Sequence, residues 1–272
     1  MPELPEVETV VRTLLPHVVG QRVVACVHVR PDMLRPADFD LVNALAGRTV
    51  ADLRRRAKRI VFTLGDGNRF YVHLGMTGRL TVETPLAPLA AHTHLIVTLD
   101  HGRQLRLVDP RRFGEIVWLG AAGHDNVGPE PLSLRPAVLH ARLSVTRRPI
   151  KAALLDQSVI AGIGNIYADE ALHRAGLHPT RPGNSLTRAE TARLNRAIKG
   201  VLRRAIRAGG SSIRDYVNAD GLRGGFQLSH RVYDREGQPC QGCRTALLRI
   251  VLGGRSTHFC PKCQPEQRLS ID

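Results

Sequence analysis

The sequence predicts a multidomain α+β protein, and three features support this fold class. Residues 21–120 contain short β-rich runs separated by turn signals, residues 149–208 carry the apolar periodicity of helices, and two cysteine pairs lie near the C-terminus. We therefore expect an N-terminal β-sandwich with a flanking helix, a C-terminal helical domain and a four-cysteine β-hairpin. The expected boundaries are residues 1–130, 131–230 and 231–272.

The first element is a predicted amphipathic helix at residues 6–15. Its apolar face consists of residues at i, i+3, i+4 and i+7: Val7, Val10, Val11 and Leu14. We expect the helix to stop before Pro16, because a proline removes a backbone donor and disfavours the helical conformation of the preceding residue. Glu6 is then either a first-turn partner of the helix dipole or a residue that orients the chain terminus.

The β-rich runs are predicted strands at 22–29, 48–53, 59–64, 69–74, 94–99, 104–108 and 114–119. Turn signals separate them, as in Asp66-Gly67-Asn68. Cys26 lies within the first run and is expected to be a small apolar strand residue. The pattern predicts a sandwich or barrel on which the N-terminal helix packs.

The second half of the chain is predicted to be helical at 149–157, at 166–175 and at 187–208. Gly176 closes the second helix, and Thr187 with Glu190 forms a capping box at the start of the third. Beyond that helix, residues 218–226 form a glycine-rich loop that we expect to be mobile.

Four of the five cysteines have a spacing that is typical of a structural zinc site. Cys240 and Cys243 form one Cys-x-x-Cys pair, and Cys260 and Cys263 form a second pair after sixteen residues. The intervening residues predict a hairpin with its turn at Gly253-Gly254. Two disulfides would be the alternative, but they are rare in a cytoplasmic protein. One structural Zn²⁺ is therefore expected.

The charge of the chain points to an anionic partner. Lys and Arg number 39 against 24 Asp and Glu, which gives a net charge of +15 at pH 7. No apolar run approaches the ~18 residues of a membrane span, and the N-terminus lacks a signal-peptide pattern, so we expect a cytoplasmic protein. Basic charge with a zinc hairpin favours nucleic acid, although composition does not separate an enzyme from a DNA-binding module.

Five motifs occur in one order along the chain: Met1-Pro2-Glu3-Leu4-Pro5-Glu6-Val7-Glu8-Thr9, His73-Leu74-Gly75-Met76-Thr77-Gly78, Asp109-Pro110-Arg111-Arg112-Phe113-Gly114, Gly162-Ile163-Gly164-Asn165-Ile166-Tyr167-Ala168 and the four-cysteine hairpin. Together they resemble the formamidopyrimidine-DNA glycosylase (Fpg/MutM) family of bacterial base-excision enzymes. The resemblance spans essentially the whole chain. It implies that the region around Asn165 is a helix–two-turn–helix element.

The resemblance implies a bifunctional glycosylase and lyase that excises oxidised purines, such as 8-oxoguanine and formamidopyrimidines, from duplex DNA. Chemistry agrees, because removal of Met1 would expose the secondary amine of Pro2, and a terminal amine with a pKa near ~8 is partly nucleophilic at neutral pH. A Schiff base on Pro2 would then permit β,δ-elimination. Glu3 is the expected general acid or base. Lys58 is expected to help the elimination, and Arg255 is expected to assist the second elimination step.

The family also implies a DNA-contact set and a group that fills the gap left by a flipped base. The expected phosphate contacts are His73, His92, Arg111, Lys151, Asn165 and Arg255, and the void-filling residues are Met76, Arg111 and Phe113. Two positions depart from the family pattern. Ala57 stands where the family often has glycine, and Thr93 stands where an acid commonly lies between two histidines.

Two alternatives remain open at this point. One is the sister endonuclease VIII type, which prefers oxidised pyrimidines, although Glu3-Leu4-Pro5 and Arg111-Arg112-Phe113 favour the first family. The other is a non-catalytic zinc DNA-binding protein, which would not need Pro2, Glu3 and Lys58 together. We expect a monomer without an obligate protein partner or a membrane, acting on damaged duplex DNA at the bacterial nucleoid.

Overall fold

The computed structural model describes residues 2–28, 30–123, 126–213 and 215–266. The chain folds into two compact units. The β unit comprises Met1–Asp125 and Ile206–Gln227, and the helical unit comprises Asn126–Ala205 and Leu228–Asp272. The three-part domain division expected from the sequence stays a prediction.

The β unit begins with helix α1 (Leu4–Val18), which packs against the strands through its apolar face. The helix does not stop before Pro16, so that prediction is wrong. Pro16 lies in the last turn on the exposed side, where its missing N–H costs little, whereas continuing the helix buries Val18. The Val19 N–H donates to the Leu15 carbonyl and closes the last turn.

The strands of the β unit are β1 (Val23–His28), β2 (Leu34–Arg35), β3 (Val50–Arg56), β4 (Arg59–Leu64), β5 (Arg69–His73), β6 (Arg79–Glu83), β7 (Thr93–Leu99), β8 (Gln104–Val108) and β9 (Glu115–Gly120). Among the described residues they form a four-stranded sheet in the order β1-β7-β8-β6 and a five-stranded sheet in the order β2-β9-β5-β4-β3. Only β2 and β9 in these sheets pair in parallel. The predicted sandwich with its flanking helix is confirmed, and Cys26 lies half-buried in β1.

Three short elements of this unit were not expected. Strand β6 was missed although Arg79-Leu80-Thr81-Val82-Glu83 alternates polar and apolar residues, and β8 pairs with it along its length. Helix α2 (Leu41–Leu45) and strand β2 are too short for periodicity to reveal them. Both are instead determined by the core, because Leu34, Leu41 and Leu45 are fully buried.

The helical unit contains α3 (Pro136–Leu143), α4 (Ile150–Leu155) and α5 (Asn165–Ala175), and α6 (Arg188–Arg207) runs from it into the β unit. Helix α3 was not expected, although Pro136 at its first turn is a start signal. The capping box of α6 is confirmed, since the Thr187 amide donates to the Glu190 carboxylate at 2.9 Å and the Glu190 amide donates to Thr187 Oγ1. Gly176 ends α5 in the left-handed conformation.

The four-cysteine segment folds as the predicted hairpin of β10 (Leu248–Leu252) and β11 (Arg255–Phe259). Gly253 and Gly254 both have positive φ values, 53° and 73°, which a two-residue turn of this type requires. Leu252 therefore pairs directly with Arg255, and Arg255 lies exposed beside the turn. Within the described ranges, no helix combines the length and apolar character needed to cross a bilayer.

Candidate functional site

The N-terminal segment is buried in the β unit. Pro2 and Glu3 precede α1, and Glu3, which occupies the N-cap position in extended conformation, is 2% exposed. Pro5 suits the first turn of this helix because that turn has no use for its missing N–H. The start of α1 thus presents Pro2 and Glu3 from a rigid element.

Glu6 holds two backbone amides, a role that neither of the two interpretations from the sequence included. Its side chain is 1% exposed, and its carboxylate accepts the Glu3 N–H at 2.8 Å and the Ser211 N–H at 2.7 Å. Gly210 permits this approach, because a Cβ there would lie 2.8 Å from Glu6 Oε1. Glu6 therefore joins the residue beside Pro2 to the segment that leads into the glycine-rich loop.

The glycine-rich loop has defined anchors on α1 and on the sandwich. The Ala219 amide donates to Thr13 Oγ1, and the Ala219 carbonyl accepts the Val82 amide. Tyr216 donates its hydroxyl to the Glu6 carbonyl, and burial together with the Glu6 charge raises the pKa of this phenol. Residues 220–225 lie between these anchors and a short 3₁₀ turn at Phe226–Ser229. The expected mobility of this loop stays a prediction.

Lys58 lies in the two-residue turn between β3 and β4 and is 7% exposed. Ala57 adopts φ of 54°, the left-handed conformation that glycine commonly supplies at this position, so the turn is formed despite the substitution. The Arg55 guanidinium braces the turn, because it donates to the Ala57 carbonyl and to Glu8 of α1 at 2.8 Å. Glu8 thus fixes the turn relative to α1.

His73 ends β5, opposite Arg59 of β4 and Glu115 of β9. Burial lowers the pKa of His73; the Glu115 charge opposes the shift, and Lys58 and Arg59 add to it. Its Nδ1 accepts the Gly75 amide at 3.2 Å, so the ring proton is carried by Nε2. His73 is therefore a neutral donor near neutral pH, beside the turn that carries Lys58.

Two loops that carry the predicted void-filling residues meet at Asp109, whose side chain is fully buried. The Asp109 carboxylate accepts the Thr77 hydroxyl at 2.5 Å and the Gly114 amide at 2.8 Å. Gly75 lies against the other loop so closely that a Cβ there would be 2.4 Å from the Phe113 carbonyl carbon. This buried acid holds the loop of Met76 against the loop of Phe113.

The side chains on these loops remain exposed, in spite of their apolar character. Met76 is 37% and Phe113 is 55% exposed, and the Arg111 guanidinium lies 4.5 Å from the centre of the Phe113 ring. The Arg111 amide also donates to Asp109, at 3.3 Å. The structure therefore brings Arg111 and Phe113 into contact and carries Met76 on the adjacent loop.

His92 is exposed and is also connected to Asp109. It has φ of 63°, and its carbonyl accepts the Asp109 amide. His94 Nε2 lies 2.9 Å from the Asp109 carbonyl. The neighbourhood of His92 is thus ordered through Asp109 although Thr93 departs from the family pattern.

Lys151 lies in the interior of the helical unit, whereas the sequence predicted a phosphate contact. Its side chain is 1% exposed, and its Nζ lies 2.7 Å from Asp169 Oδ1 of α5. The ammonium group also donates to the Ser256 carbonyl at 2.6 Å and to Thr257 Oγ1 at 2.8 Å. This buried cation therefore has a carboxylate at ion-pair distance and donates hydrogen bonds to two oxygens of strand β11.

Asn165, the first residue of α5, points at the same strand. Its Nδ2 donates to the Ser256 carbonyl at 2.9 Å, while its Oδ1 is buried without a hydrogen-bond partner among the described residues. The Ser256 carbonyl therefore accepts hydrogen bonds from both Lys151 and Asn165. Because Ser256 follows Arg255, these two residues determine where the exposed arginine stands.

The four cysteine sulfurs lie within 4.8 Å of one another. Cys240 and Cys263 are separated by 3.9 Å and Cys243 and Cys260 by 3.4 Å between Sγ atoms. A tetrahedral zinc ion with bonds of about 2.3 Å requires about 3.8 Å between sulfurs. The site fits one structural Zn²⁺, and all four predicted ligands are together.

Sequence reasoning missed the acids that hold these parts. Asp109 was quoted in a motif without a role, and Asp169 was overlooked. A buried acid among basic and glycine residues was a usable signal for Asp109, since such a group must be hydrogen-bonded. Asp169 gave no comparable signal, because its partners are distant in sequence.

Comparison with known families gives matches along most of the chain. Residues 1–116 match the formamidopyrimidine-DNA glycosylase N-terminal domain, residues 127–217 match the formamidopyrimidine-DNA glycosylase H2TH domain, and residues 237–265 match the zinc finger found in FPG and IleRS. The first two matches alone cover more than half of the sequence.

Individual relatives are similar over their whole length. The formamidopyrimidine-DNA glycosylases of Chloroflexus aggregans and Gluconobacter oxydans are each 47% identical to this chain over 97% of it, and the match covers 98% and 100% of the relatives. The crystal structure of MutM (Fpg) from Thermus thermophilus aligns with a TM-score of 0.89 at 44% identity, covering 98% of this chain and 100% of that one. A complex of Lactococcus lactis Fpg with DNA containing an abasic site aligns with a TM-score of 0.91 at 35% identity, covering 97% and 100%.

Proposed function

We propose that this chain, which belongs to the formamidopyrimidine-DNA glycosylase family, is a bifunctional DNA glycosylase and AP lyase that excises oxidised purines from duplex DNA. The observation that carries the proposal is the buried Pro2-Glu3 pair at the start of α1. The relatives support the substrate class, since Lactococcus lactis Fpg has been solved with N7-benzyl-Fapy-dG DNA and with abasic-site DNA.

The reaction begins at Pro2 after removal of Met1. The neutral secondary amine attacks the anomeric carbon of the damaged nucleotide, and the base leaves with the bonding electrons and takes up a proton. The attacking nitrogen then loses its proton, and the C1′–O4′ bond breaks as O4′ takes up a proton, which leaves an iminium between Pro2 and C1′. This iminium acidifies the neighbouring C2′, so that loss of a C2′ proton expels the 3′ phosphate. A second elimination releases the 5′ phosphate, and hydrolysis frees Pro2.

Glu3 is the group that moves protons in this sequence. Glu3 follows Pro2 at the N-cap of α1, and Glu6 holds its amide, which supports a place for its carboxyl beside a sugar bound to Pro2. We assign to Glu3 the proton transfers to the sugar oxygen and the departing base. Glu6 is a positioning residue, because its carboxylate holds the Glu3 amide.

Lys58 and His73 are proposed to bind the phosphates next to the damaged nucleotide. Two features support this: the turn of Lys58 is braced to α1 by Arg55 and Glu8, and His73 offers an Nε2–H donor. A cation beside the departing phosphate stabilises the charge that develops during elimination. Zinc, held by the four cysteines, supplies rigidity to the hairpin that carries Arg255 rather than chemistry at the sugar.

Arg255, Asn165 and Lys151 form the corresponding set of the helical unit. We propose that Arg255 binds phosphate directly and assists the second elimination, and that Asn165 also binds phosphate. Lys151 is proposed to act through β11, because its ammonium is buried on Asp169 and Ser256. His92 completes the phosphate contacts from the β unit, where it is exposed.

The burial of Lys151 makes a prediction about stability. Lys151→Met should lower the free energy of unfolding by about 3–5 kcal/mol, because it leaves the Asp169 carboxylate buried without its cation. Urea unfolding of the two proteins measures this. Lys199→Met, which removes a lysine from the half-buried side of α6, is the matched control and should stay within about 0.5 kcal/mol. The alternative is that Lys151 contacts phosphate directly. In that case the Lys151→Met protein would stay stable, and the slope of log K against log salt for DNA binding would fall in magnitude by about one.

The void-filling group predicts how the base opposite the lesion is read. Arg111 stacks on Phe113 and points its guanidinium outward, where it can donate to the O2 and N3 edge of an orphaned cytosine. Arg111→Ala should therefore narrow the preference for cytosine over adenine by about 1–3 kcal/mol. Excision rates on 8-oxoguanine opposite each base measure it. If the preference for cytosine over adenine were unchanged and binding fell equally for both duplexes, Arg111 would be a contact to the DNA backbone and not a reader of the opposite base.

One experiment tests the proposed function directly. Borohydride reduction of the protein with a duplex that contains 8-oxoguanine opposite cytosine should yield a covalent adduct at Pro2. A duplex with an oxidised pyrimidine should give less adduct, and the reverse order would favour the endonuclease VIII type. A DNA-binding module without catalysis would give none. We further propose that the protein acts as a monomer on damaged duplex DNA in the bacterial cytoplasm, at the nucleoid.

A further inference from the structure

Helix α5 directs three side chains at the segment that carries the cysteines. The Asp169 carboxylate accepts the His258 amide at 2.9 Å, and the Glu170 carboxylate accepts the Val232 amide at 2.9 Å. His173, one turn beyond Asp169, places its Nε2 at 3.6 Å from Cys240 Sγ. The first two contacts hold backbone, whereas the third reaches a metal ligand.

The geometry at Cys240 is that of an N–H···S hydrogen bond. Cys240 is fully buried and His173 is 9% exposed. The same sulfur accepts the Gly242 amide at 3.4 Å, so the imidazole is its second donor. His173 Nδ1 is buried and has no hydrogen-bond partner in the described part of the chain, which leaves Nε2 as the ring atom with a partner.

The charge of the metal centre explains why such a donor is useful. Four thiolates carry four negative charges and Zn²⁺ carries two positive charges, so the cluster has a net charge of −2. A buried anion requires hydrogen-bond donors in place of water. Cys240 has none of the solvent exposure that the half-buried Cys243 and Cys263 retain, and its thiolate depends on protein donors.

We propose that His173 is an outer-sphere residue of the zinc centre, which donates its Nε2–H to the Cys240 thiolate and thereby links zinc retention to helix α5. The proposal rests on the structural zinc and not on the glycosylase activity. Groups that hydrogen-bond to metal ligands raise metal affinity by about 10- to 100-fold in other proteins. His173 is a positioning residue in this sense, since it acts through Cys240.

The test compares three variants of the full chain loaded with zinc. His173→Phe removes the donor and keeps a ring, and His173→Gln keeps an N–H donor near the Nε2 position. His140→Phe removes a histidine of α3 that lies 3.2 Å from Thr191 Oγ1 instead of a sulfur. Competition with a chromogenic chelator measures the zinc dissociation constant, and Co²⁺ substitution reports the thiolate-to-metal charge-transfer band.

His173→Phe should raise the zinc dissociation constant about 10-fold or more and move the charge-transfer band to lower energy, because a thiolate without its donor holds its electrons less tightly. His173→Gln should lie near the wild type in both, and His140→Phe should match it. Unchanged affinity and band energy in a folded His173→Phe protein would overturn the proposal.

A measurement on the wild type keeps the proposal falsifiable if His173→Phe does not fold. In the ¹¹³Cd-substituted protein, the His173 Nε2 proton should show scalar coupling to the metal through the Cys240 sulfur, and the ring should be protonated at Nε2. A ring protonated at Nδ1 alone would contradict the inference. Either result is independent of borohydride trapping, so failure here leaves the proposed function standing.

Discussion

Replacing Pro2 with glycine is expected to slow base excision by at least about two orders of magnitude, or about 2.7 kcal/mol, while DNA binding is kept. The reason lies in the amine. A secondary amine forms an iminium that has no N–H to lose and stays cationic, whereas the primary amine of glycine forms an imine that must be protonated before it can withdraw electrons. Pro2 also lies buried directly before the N-cap residue of α1, so its amine should approach the sugar with little conformational freedom.

An N-terminal extension provides the stricter form of this experiment. Residues retained before Pro2 convert its amine into an amide and should abolish excision and borohydride trapping. A protein with the same tag at its C-terminus is the control. Single-turnover rates on an 8-oxoguanine duplex measure chemistry, and anisotropy with an uncleavable abasic analogue measures binding. Full activity from an extended protein, with its mass verified, would exclude the amine mechanism.

The parts of the fold that the sequence predicted well are those whose signal is local. The stripe of α6 repeats over twenty residues with its own capping box, and each two-cysteine knuckle carries its metal-binding geometry within four residues. Most strand boundaries were within one or two residues for the same reason. Local sequence signals did not predict the conformation of the turn at Ala57, because only the structure shows that alanine adopts the left-handed conformation there.

The remaining features depend on contacts between distant residues. Pro16 continues α1 because burial of Val18 outweighs a local stop signal. Asp109 precedes Pro110 and Arg111 in the sequence, but its carboxylate accepts a hydrogen bond from the Thr77 hydroxyl of another loop. Lys151 was expected at the DNA because the family resemblance implied a phosphate contact there, yet its ammonium is buried against Asp169 and Ser256. None of these partners can be chosen from composition or periodicity.

These buried polar groups have a common consequence for the proposed site. Each exposed residue that is proposed to touch DNA stands on a segment held by a buried acid. Asp109 holds the loops of Met76 and Phe113, and Asp169, through Lys151, holds the strand of Arg255. Fixed positions reduce the entropy that must be lost when DNA binds, so substitutions at the acids should weaken function without touching DNA.

Glu3→Gln should separate the two activities of the enzyme. The amide keeps the size of the carboxyl at a position that is 2% exposed but cannot transfer the proton, and loss of a general acid–base typically costs about 10²- to 10⁴-fold in rate. Excision of 8-oxoguanine should fall by that amount. Cleavage at a preformed abasic site should fall much less, because the base has already left and the Pro2 amine attacks an aldehyde.

The measurement is a pair of single-turnover rates on duplexes that differ only in the lesion, 8-oxoguanine or an abasic site. Glu83→Gln, at the end of strand β6, removes a carboxylate from the same unit and should leave both rates unchanged. The ratio of the two rates is the informative quantity, because a change in folding or DNA affinity moves both together. If Glu3→Gln lowered both rates equally, its proton would belong to a step that the two substrates share, such as formation of the iminium at Pro2, and departure of the base would need another acid.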